Sequence, residues 1–442
     1  MLLKEVKKND PNLIRSWAMF DWANSAYNLV ITSTIFPIYY ITITSSKYVG
    51  KDTISFFGIE VINTVLSNYA LAFAYLVMVL MLPFLSSYAD ANGKKLQVMK
   101  VFTYIGAISC MALFFFKLET LEFGMLCFTL AAMGYIGGVA INNSYLPVVA
   151  SPDQQDRVSA KGFAYGYVGC VTIQLICFLF VLKPDWFNIT DASFPARLSF
   201  LLVGIWWLGF SMIPFKKLPN NNPSEHSQGI SVYARVKSEF HSVWLQILGN
   251  KGIRRFLPAY FFNSVGVQTI MVVATMFGQK ELDLAQDSLI ITIILIQLVA
   301  IAGAFLMSRL AKKLGNIAVL LVVTLMWVGI CISAYYLSSA SQFYALAFMV
   351  GLLMGGIQSL SRSTYSKLLP NNMEDTTAMF SFYDITEKLG IVLGLIVFGL
   401  IEQITFNIRL SAVSLSIFFI LGFILLLRML KFNSLLKQVS HG

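Results

Sequence analysis

The chain has 442 residues, of which 57% are hydrophobic and 12% are charged, and its net charge at pH 7 is +10. Soluble domains carry about 25% charged residues, so this composition excludes an ordinary soluble protein and predicts a polytopic membrane protein. A strongly basic chain also suits a nucleic-acid partner, and the positions of the basic residues decide between the two interpretations.

Apolar segments long enough to cross a bilayer, which takes about 20 residues, occur twelve times in the sequence. They predict spans at about 17–44, 60–88, 96–117, 121–149, 160–182, 195–214, 255–279, 287–310, 315–338, 341–369, 377–402 and 408–430. A polar stretch divides them into two sets of six, and its segment Tyr233–Leu248 has the pattern of an amphipathic surface helix. The predicted organisation is a six-helix bundle over 1–215, a linker over 216–252 and a second bundle over 253–442.

Lysine and arginine are divided unequally between the two sides that the alternating spans define. One side collects 24 of these residues and the other has 7, while Lys388 is left inside a span. Because cytoplasmic loops carry the excess of positive charge, both termini and the central linker are expected in the cytoplasm. The basic charge therefore indicates topology, and no nucleic-acid partner is predicted.

The first predicted span carries an unusual number of polar residues. At 100° per residue they lie on one helical face: Asp21, Asn24, Ser25, Asn28 and Thr32. A polar face of this kind contacts protein or a water-filled cavity, and an ionisable residue within a span indicates function. Two interpretations of Asp21 remain open, because it either lines a cavity or pairs with a neighbouring Arg or Lys.

Span ten contains an arginine that lies eight residues before Pro370, well inside the helix end. This is Arg362, and Gln358 is one turn deeper on the same helical face. The planar guanidinium suits a carboxylate or a phosphate. Arg362 is therefore predicted either to contact the substrate or to form a structural salt bridge, with Asp21 or Asp384 as the partner.

Span eleven contains three charged residues, Asp384, Glu387 and Lys388. Asp384 and Lys388 have the i,i+4 spacing, with the acid first, that favours an ion pair on a helix. An unpaired charge near the middle of a span is costly. The three residues are predicted either to neutralise one another or to act in gating or proton transfer.

Other polar residues in the spans are candidates for the cavity wall or for hydrogen bonds between helices. Spans four and seven contribute Asn142, Asn143, Asn263 and Gln268. Tyr365 of span ten is a candidate apolar wall, together with Trp22 and Tyr27 of span one. Small residues in spans five and eight, including Gly166, Gly169 and Gly303, are expected to let helices approach closely.

The loop between spans two and three contains Asp90, then Gly93 three residues later, then two lysines beginning with Lys94. This spacing resembles the signature loop of the major facilitator superfamily. Asp90 can cap a helix start and bridge to basic groups, and Gly93 permits a tight turn. The equivalent loop in the second half keeps Gly315 but has Lys312 in place of the acid. A gating latch is therefore expected in the first half and a weaker one, or none, in the second.

Four longer blocks narrow this resemblance: Trp17–Tyr27 in span one, Gly266–Ile270 in span seven, Gly355–Ser363 in span ten and Phe380–Lys388 in span eleven. They resemble the vacuolar amino-acid effluxer family linked to autophagy and its bacterial relatives. The resemblance implies an all-α membrane protein of the major facilitator fold, with twelve transmembrane helices in two pseudo-symmetric six-helix bundles. The family often has an acid just before the glycine of span seven, where this chain has Val265, so no coupling carboxylate is assigned to that helix.

These observations predict a secondary transporter that moves a small polar solute by alternating access and needs no cofactor. The sequence contains no Gly-rich phosphate loop and no metalloprotease-type helix, so an enzyme is not expected. In the resembled superfamily spans one, four, seven and ten line the cavity. The polar face of span one suits an ammonium group and Arg362 suits a carboxylate, so an amino acid or a short peptide is the first candidate.

A sugar or another small metabolite, carried by the same fold, and a receptor that does not transport remain alternatives. The expected partners are the small-molecule substrate, the lipid bilayer and a coupling proton. We expect a monomer in the bacterial cytoplasmic (inner) membrane.

Overall fold

The computed structural model describes residues 8–44, 53–191, 193–220, 232–282, 284, 286–370, 376–405 and 407–439. Twelve long helices correspond to the twelve predicted spans, and we number them as spans one to twelve. Their bounds are Pro11–Thr44, Asn63–Ala91, Lys95–Ala112, Leu121–Asn143, Gln155–Leu182, Phe194–Lys217, Lys251–Leu282, Gln286–Leu314, Asn316–Tyr335, Ala340–Leu368, Thr376–Thr405 and Ile408–Val439.

Among the described residues, eleven helices are long and apolar enough to cross a membrane. The helix outside that set is span eleven, which has 30 residues and carries Asp384, Glu387 and Lys388. Its length is sufficient to cross a bilayer. The predicted positions of the spans agree with the structure to within a few residues at most ends.

Span one begins six residues earlier than predicted, because the sequence supplies a helix cap before the apolar run. The Asp10 side chain accepts a hydrogen bond from the backbone N–H of Asn12, at 2.9 Å, and Pro11 occupies the first helical position. Proline is favoured there because its missing N–H has no helical partner in any case. This start brings the polar N-terminal turn into the same helix as the apolar segment.

The middle of span one is a π-helix over Tyr27–Ile35, which lies between α-helical segments. The hydroxyls of Ser33 and Thr34 donate to carbonyls five residues earlier, at 2.9 and 2.8 Å. The α-helical spacing assumed for the polar face therefore ends at Ala26. Asp21 and Asn24 keep that spacing, whereas Asn28 and Thr32 belong to the π-helical segment, where the repeat differs.

A short β-hairpin that the sequence analysis did not predict precedes span two. Strand β1, Thr53–Phe56, pairs antiparallel with β2, Ile59–Ile62. The two turn residues, Phe57 and Gly58, have φ angles of +48° and +79°, as a tight two-residue hairpin requires. The hairpin explains why span two begins at Asn63 rather than near residue 60.

The described chain forms two compact units. The first comprises Asp10–Asn143 and the described part of Tyr165–Gly229, and its aromatic core includes Phe36 and Phe128, stacked with ring centroids 3.8 Å apart. The second comprises Ser144–Ala164 and the described part of Ile230–Gly442. Span five therefore contributes its first ten residues to the second unit and the rest to the first. The boundaries proposed from the sequence remain a prediction.

Close helix packing through glycine occurs in both units, as predicted. In the first unit, a Cβ added at Gly169 would lie 2.5 Å from the Trp22 carbonyl oxygen. In the second, a Cβ at Gly303 of span eight would overlap the Leu352 carbonyl of span ten. Backbone atoms cannot yield as a side chain does, so these positions require glycine.

The predicted amphipathic segment is a helix over Val232–Gly249 in the second unit. Val243 and Ile247 are buried on one side of it. Asn250 separates this helix from span seven, and its side-chain oxygen accepts from the N–H groups of Gly252 and Ile253. The sequence prediction of a surface helix before span seven is confirmed.

Candidate functional site

In the first unit, an acid–amide pair joins spans one and four. The Asn142 side chain donates to the Asp21 carboxylate at 3.0 Å, and the Trp17 indole donates to the Asn142 backbone carbonyl at 2.8 Å. Asp21 and Asn142 are both buried. The structure thus brings together two of the predicted polar residues, and their hydrogen bonds join span one to span four at these positions.

Asn24, one turn beyond Asp21, is 1% exposed, and neither polar atom of its amide has a hydrogen-bond partner within the part of the chain that the structure describes. Its oxygen lies 3.5 Å from the position that a Cβ on Gly138 would take. Buried amides are normally hydrogen-bonded, so this side chain is available to a water molecule or a ligand group. Its place beside span four makes it the strongest candidate ligand-binding amide of the first unit.

The remaining predicted residues of the first unit have less distinctive surroundings. Ser25 is partly exposed, and its hydroxyl would meet a Cβ on Gly166 of span five at 2.8 Å. Asn28 is partly exposed, and its backbone carbonyl accepts the Ser33 hydroxyl. Asn143 is buried next to the acid–amide pair. Their role in a cavity remains a prediction.

In the second unit, a polar cluster joins spans seven and eleven. Gln268 donates to one Glu387 oxygen at 2.6 Å, and Lys388 donates to the other at 2.7 Å. Asp384, one turn earlier in span eleven, is buried. The lysine thus bonds to the adjacent glutamate, and the pairing of Asp384 with Lys388 stays a prediction.

Two further candidates of the second unit form hydrogen bonds to neighbouring helices. Asn263 of span seven accepts from the Thr324 hydroxyl of span nine at 3.3 Å. The Tyr365 hydroxyl donates to the Met379 carbonyl at 2.6 Å, and its ring lies 5.1 Å from that of Tyr383. Gln358 is partly exposed, one turn before Arg362.

Arg362 is 2% exposed and lies against the start of span five within the second unit. Its Nε donates to the Ser159 hydroxyl at 2.9 Å, and Nη2 donates to the Ser159 carbonyl at 2.8 Å. The guanidinium carbon is 4.2 Å from the centre of the Phe163 ring, within the range of a cation–π contact. Ser159 and Phe163 were not among the predicted residues.

The predicted latch loop has the turn that its sequence requires. Gly93 has φ +64°, and its N–H donates to the Asp90 carbonyl at 3.2 Å. Asp90 is buried, while Lys94 donates to the Tyr88 hydroxyl at 3.3 Å. In the second half Gly315 also has a positive φ, +84°. The positive φ of the glycine therefore recurs, although only the first copy has the acid.

The sequence analysis missed a polar network at the start of span five. Asp156 accepts from Lys367 at 2.5 Å and from Asn316 at 2.7 Å, and Asn316 also donates to Thr364 at 3.1 Å. The sequence does contain an acid in the first turn of span five and a lysine in the last turn of span ten. Nothing in the sequence, however, indicates that these two ends meet.

Just before this network, Asp153 is exposed in the loop between spans four and five. A hydrogen bond from Ser151 is the main reason that the pKa of Asp153 lies below its ordinary value, and a bond from Gln154 adds to it. Among the described residues, no group of three His, Cys, Asp or Glu side chains is placed to hold a metal ion.

Comparisons with known proteins identify the family and the fold. The family described as "Vacuole effluxer Atg22 like" matches residues 9–435. The chain is 28% identical over 415 residues to "Uncharacterized MFS-type transporter YxiO" of Bacillus subtilis, covering 93% of each chain. It is 26% identical over 395 residues to "Autophagy-related protein 22" of Vanderwaltozyma polyspora, covering 79% of this chain and 72% of the relative.

Among solved structures, the major facilitator superfamily proton:xylose symporter XylE superimposes with a TM-score of 0.70 at 14% identity, covering 95% of each chain. Similarity at that identity shows the fold, and it confirms the predicted major facilitator architecture of twelve transmembrane helices. Because the family matches nearly the whole chain, the protein is an integral membrane transporter that belongs to the Atg22-like vacuole effluxer family.

Proposed function

We propose that this transporter moves a small zwitterion, an amino acid or a short peptide, across the membrane by alternating access. The observation that carries the proposal is the buried guanidinium of Arg362 within a membrane-spanning helix. Its hydrogen bonds to the Ser159 hydroxyl and carbonyl are bonds to neutral groups. A substrate carboxylate is a stronger acceptor for the same donors.

The first unit by itself offers groups suited to an ammonium group. Asp21 provides a carboxylate, and Asn24 provides a buried amide whose atoms have no hydrogen-bond partner among the described residues. An ammonium group donates to both kinds of oxygen. We propose Asp21 and Asn24 as a binding site for an ammonium group within this unit, with Ser25, Asn28, Asn142 and Asn143 as further polar wall.

We also propose that Glu387 couples transport to a proton. Its two oxygens accept from Gln268 and Lys388 inside a membrane-spanning helix, where carboxylates mark ion and proton pathways. The solved neighbour XylE is a proton:xylose symporter, which is consistent with this role. Protonation of Glu387 would remove the negative charge that now pairs with Lys388. The net charge of this pair would therefore change when the proton binds.

The cellular location is also a proposal. One relative is bacterial and another is fungal, and the charge distribution of the sequence favours both termini on the same side as the basic central linker. We propose a monomer in a bacterial cytoplasmic membrane with both termini in the cytoplasm.

The test of the substrate class is ligand binding to the purified full-length chain, measured by thermal shift across amino acids, short peptides and sugars. The expected result is stabilisation by a zwitterion. Removing a hydrogen bond to a charged group costs about 1.5–3 kcal/mol, roughly 10- to 150-fold in affinity. Arg362→Gln should therefore weaken binding of that zwitterion by this factor, while its decarboxylated analogue should lose little.

The matched control is Ser159→Ala, which removes the hydroxyl that Arg362 contacts and keeps the arginine. If Arg362 binds the substrate, Ser159→Ala should leave affinity nearly unchanged or increase it, because the guanidinium loses a competing acceptor. Equal losses in both variants would mean that Arg362 acts structurally. Stabilisation of the wild type by uncharged sugars alone would favour the sugar-transporter alternative.

A further inference from the structure

The helix Val232–Gly249 has a second apolar surface, which the described residues cover only in part. Trp244, Leu245 and Leu248 are 43%, 53% and 42% exposed. Positions 244, 245 and 248 lie on one side of a helix by their i,i+3 and i,i+4 spacing, and Val243 and Ile247 are buried on another side. We call the three exposed residues the linker-helix patch.

Packing places this patch at the end of the membrane spans. The linker helix packs against spans seven and eleven, and the Trp244 ring lies 5.7 Å from that of Phe382. A single residue, Asn250, separates the helix from span seven, and its side chain donates to the Leu368 carbonyl at the end of span ten. The patch therefore lies where three spans end, at the level of the membrane surface.

Two exposed basic residues lie next to the patch. Lys251 and Arg254, in the first turn of span seven, are both exposed, and one Arg254 nitrogen is 3.4 Å from the Leu248 carbonyl. From His241 to Lys280 the sequence contains no aspartate or glutamate. An apolar patch beside exposed cationic groups is the composition of a helix that binds an anionic membrane surface.

We propose that the linker-helix patch, with Lys251 and Arg254, is a binding surface for anionic phospholipid in the leaflet on the side of the central linker. The indole and the leucines insert among the upper acyl carbons, and the two cationic groups contact the headgroup phosphates. Tryptophan is enriched at this depth of the bilayer. The inference is independent of which solute the transporter carries.

The test uses quenching of tryptophan fluorescence in reconstituted vesicles. The full-length chain is placed in phosphatidylcholine with phosphatidylglycerol, and either lipid is brominated near the headgroup end of its acyl chains. The signal of Trp244 is the difference between the wild type and Trp244→Phe. We expect brominated phosphatidylglycerol to quench this signal more strongly than brominated phosphatidylcholine at equal content.

The double variant Lys251→Gln/Arg254→Gln should remove this preference, since each basic residue near an anionic surface contributes about fivefold in affinity. The matched control is Lys216→Gln/Lys217→Gln, an exposed basic pair at the end of span six, which should keep the preference. Absence of quenching by either lipid would show that protein covers the patch and would overturn the proposal. Equal quenching by both lipids would overturn the anionic specificity.

Discussion

Lys367 and Asp156 form an ion pair at 2.5 Å across 211 residues of sequence. The lysine lies in the last turn of span ten and the aspartate in the first turn of span five. Asn316, the first residue of span nine, donates to the aspartate and accepts from the lysine. One amide thus connects the two charged groups at the ends of three spans.

Breaking this pair should destabilise the protein. We expect Asp156→Asn and Lys367→Gln each to lower the free energy of unfolding by about 1.5–3 kcal/mol, the range for a hydrogen bond to a charged group. Thermal unfolding of the purified protein measures the effect. Exchanging the charges, Asp156→Lys with Lys367→Asp, should recover part of the loss, because the Asn316 amide can rotate to exchange its donor and acceptor. A double variant less stable than both single variants would contradict this.

The two loops with a positive-φ glycine should differ in their effect on transport. Asp90 is buried, whereas Lys312 at the equivalent position is exposed. Asp90→Asn or Gly93→Val should slow transport with little loss of protein, because the loss of a bridge shifts a conformational population. Lys312→Ala should change the rate much less. Equal defects at Asp90 and Lys312 in a proteoliposome assay would refute the asymmetry.

If Glu387 carries the coupling proton, Glu387→Gln should affect proton-driven accumulation of the substrate but not exchange of the substrate across the membrane. The glutamine side chain keeps a hydrogen bond to Gln268 but cannot lose or gain the proton at neutral pH. We expect proton-driven accumulation to be lost while exchange of substrate across the membrane persists. Glu281→Gln is the matched control, since Glu281 pairs with Arg409 at 2.6 Å at the far end of span seven. Retained accumulation in Glu387→Gln would exclude the coupling role.

Helix packing in the second unit gives a stability prediction with an internal control. A methyl group at Gly303 would overlap the Leu352 carbonyl, while one at Gly329 of span nine meets nothing within 4 Å. Gly303→Ala should therefore lower the melting temperature, because two backbones must move apart. Gly329→Ala should leave it unchanged or raise it, since alanine favours a helix over glycine by about 1 kcal/mol. A lower melting temperature for Gly329→Ala than for Gly303→Ala would contradict the close packing of spans eight and ten.

The topology can be tested with reporter fusions. The excess of lysine and arginine predicts that fusions after Lys217 and Lys437 report a cytoplasmic location. A fusion after Asp191, in the loop between spans five and six, should report the opposite side. A fusion that reports the opposite location at any of these three positions would rule out the proposed orientation.

The sequence by itself determined the number, order and approximate ends of the spans, since these depend on local properties. Apolar length identifies a segment that can cross a bilayer, and a cap such as Asp10 or a turn glycine such as Gly93 acts within a few residues. Small residues in span eight likewise predicted a close approach to another helix, although they did not identify span ten as that helix. Local chemistry also identified Asp21, Arg362 and Glu387 as unusual charges.

Only the tertiary structure decided which groups meet. Arg362 donates to Ser159, 203 residues away, and Lys388 bonds to Glu387 although adjacent helical residues do not face each other. The π-helix of span one likewise altered the face shared by its polar residues. These pairings depend on helix crossings and on the approach of distant chain segments, so no local pattern in the sequence specifies them.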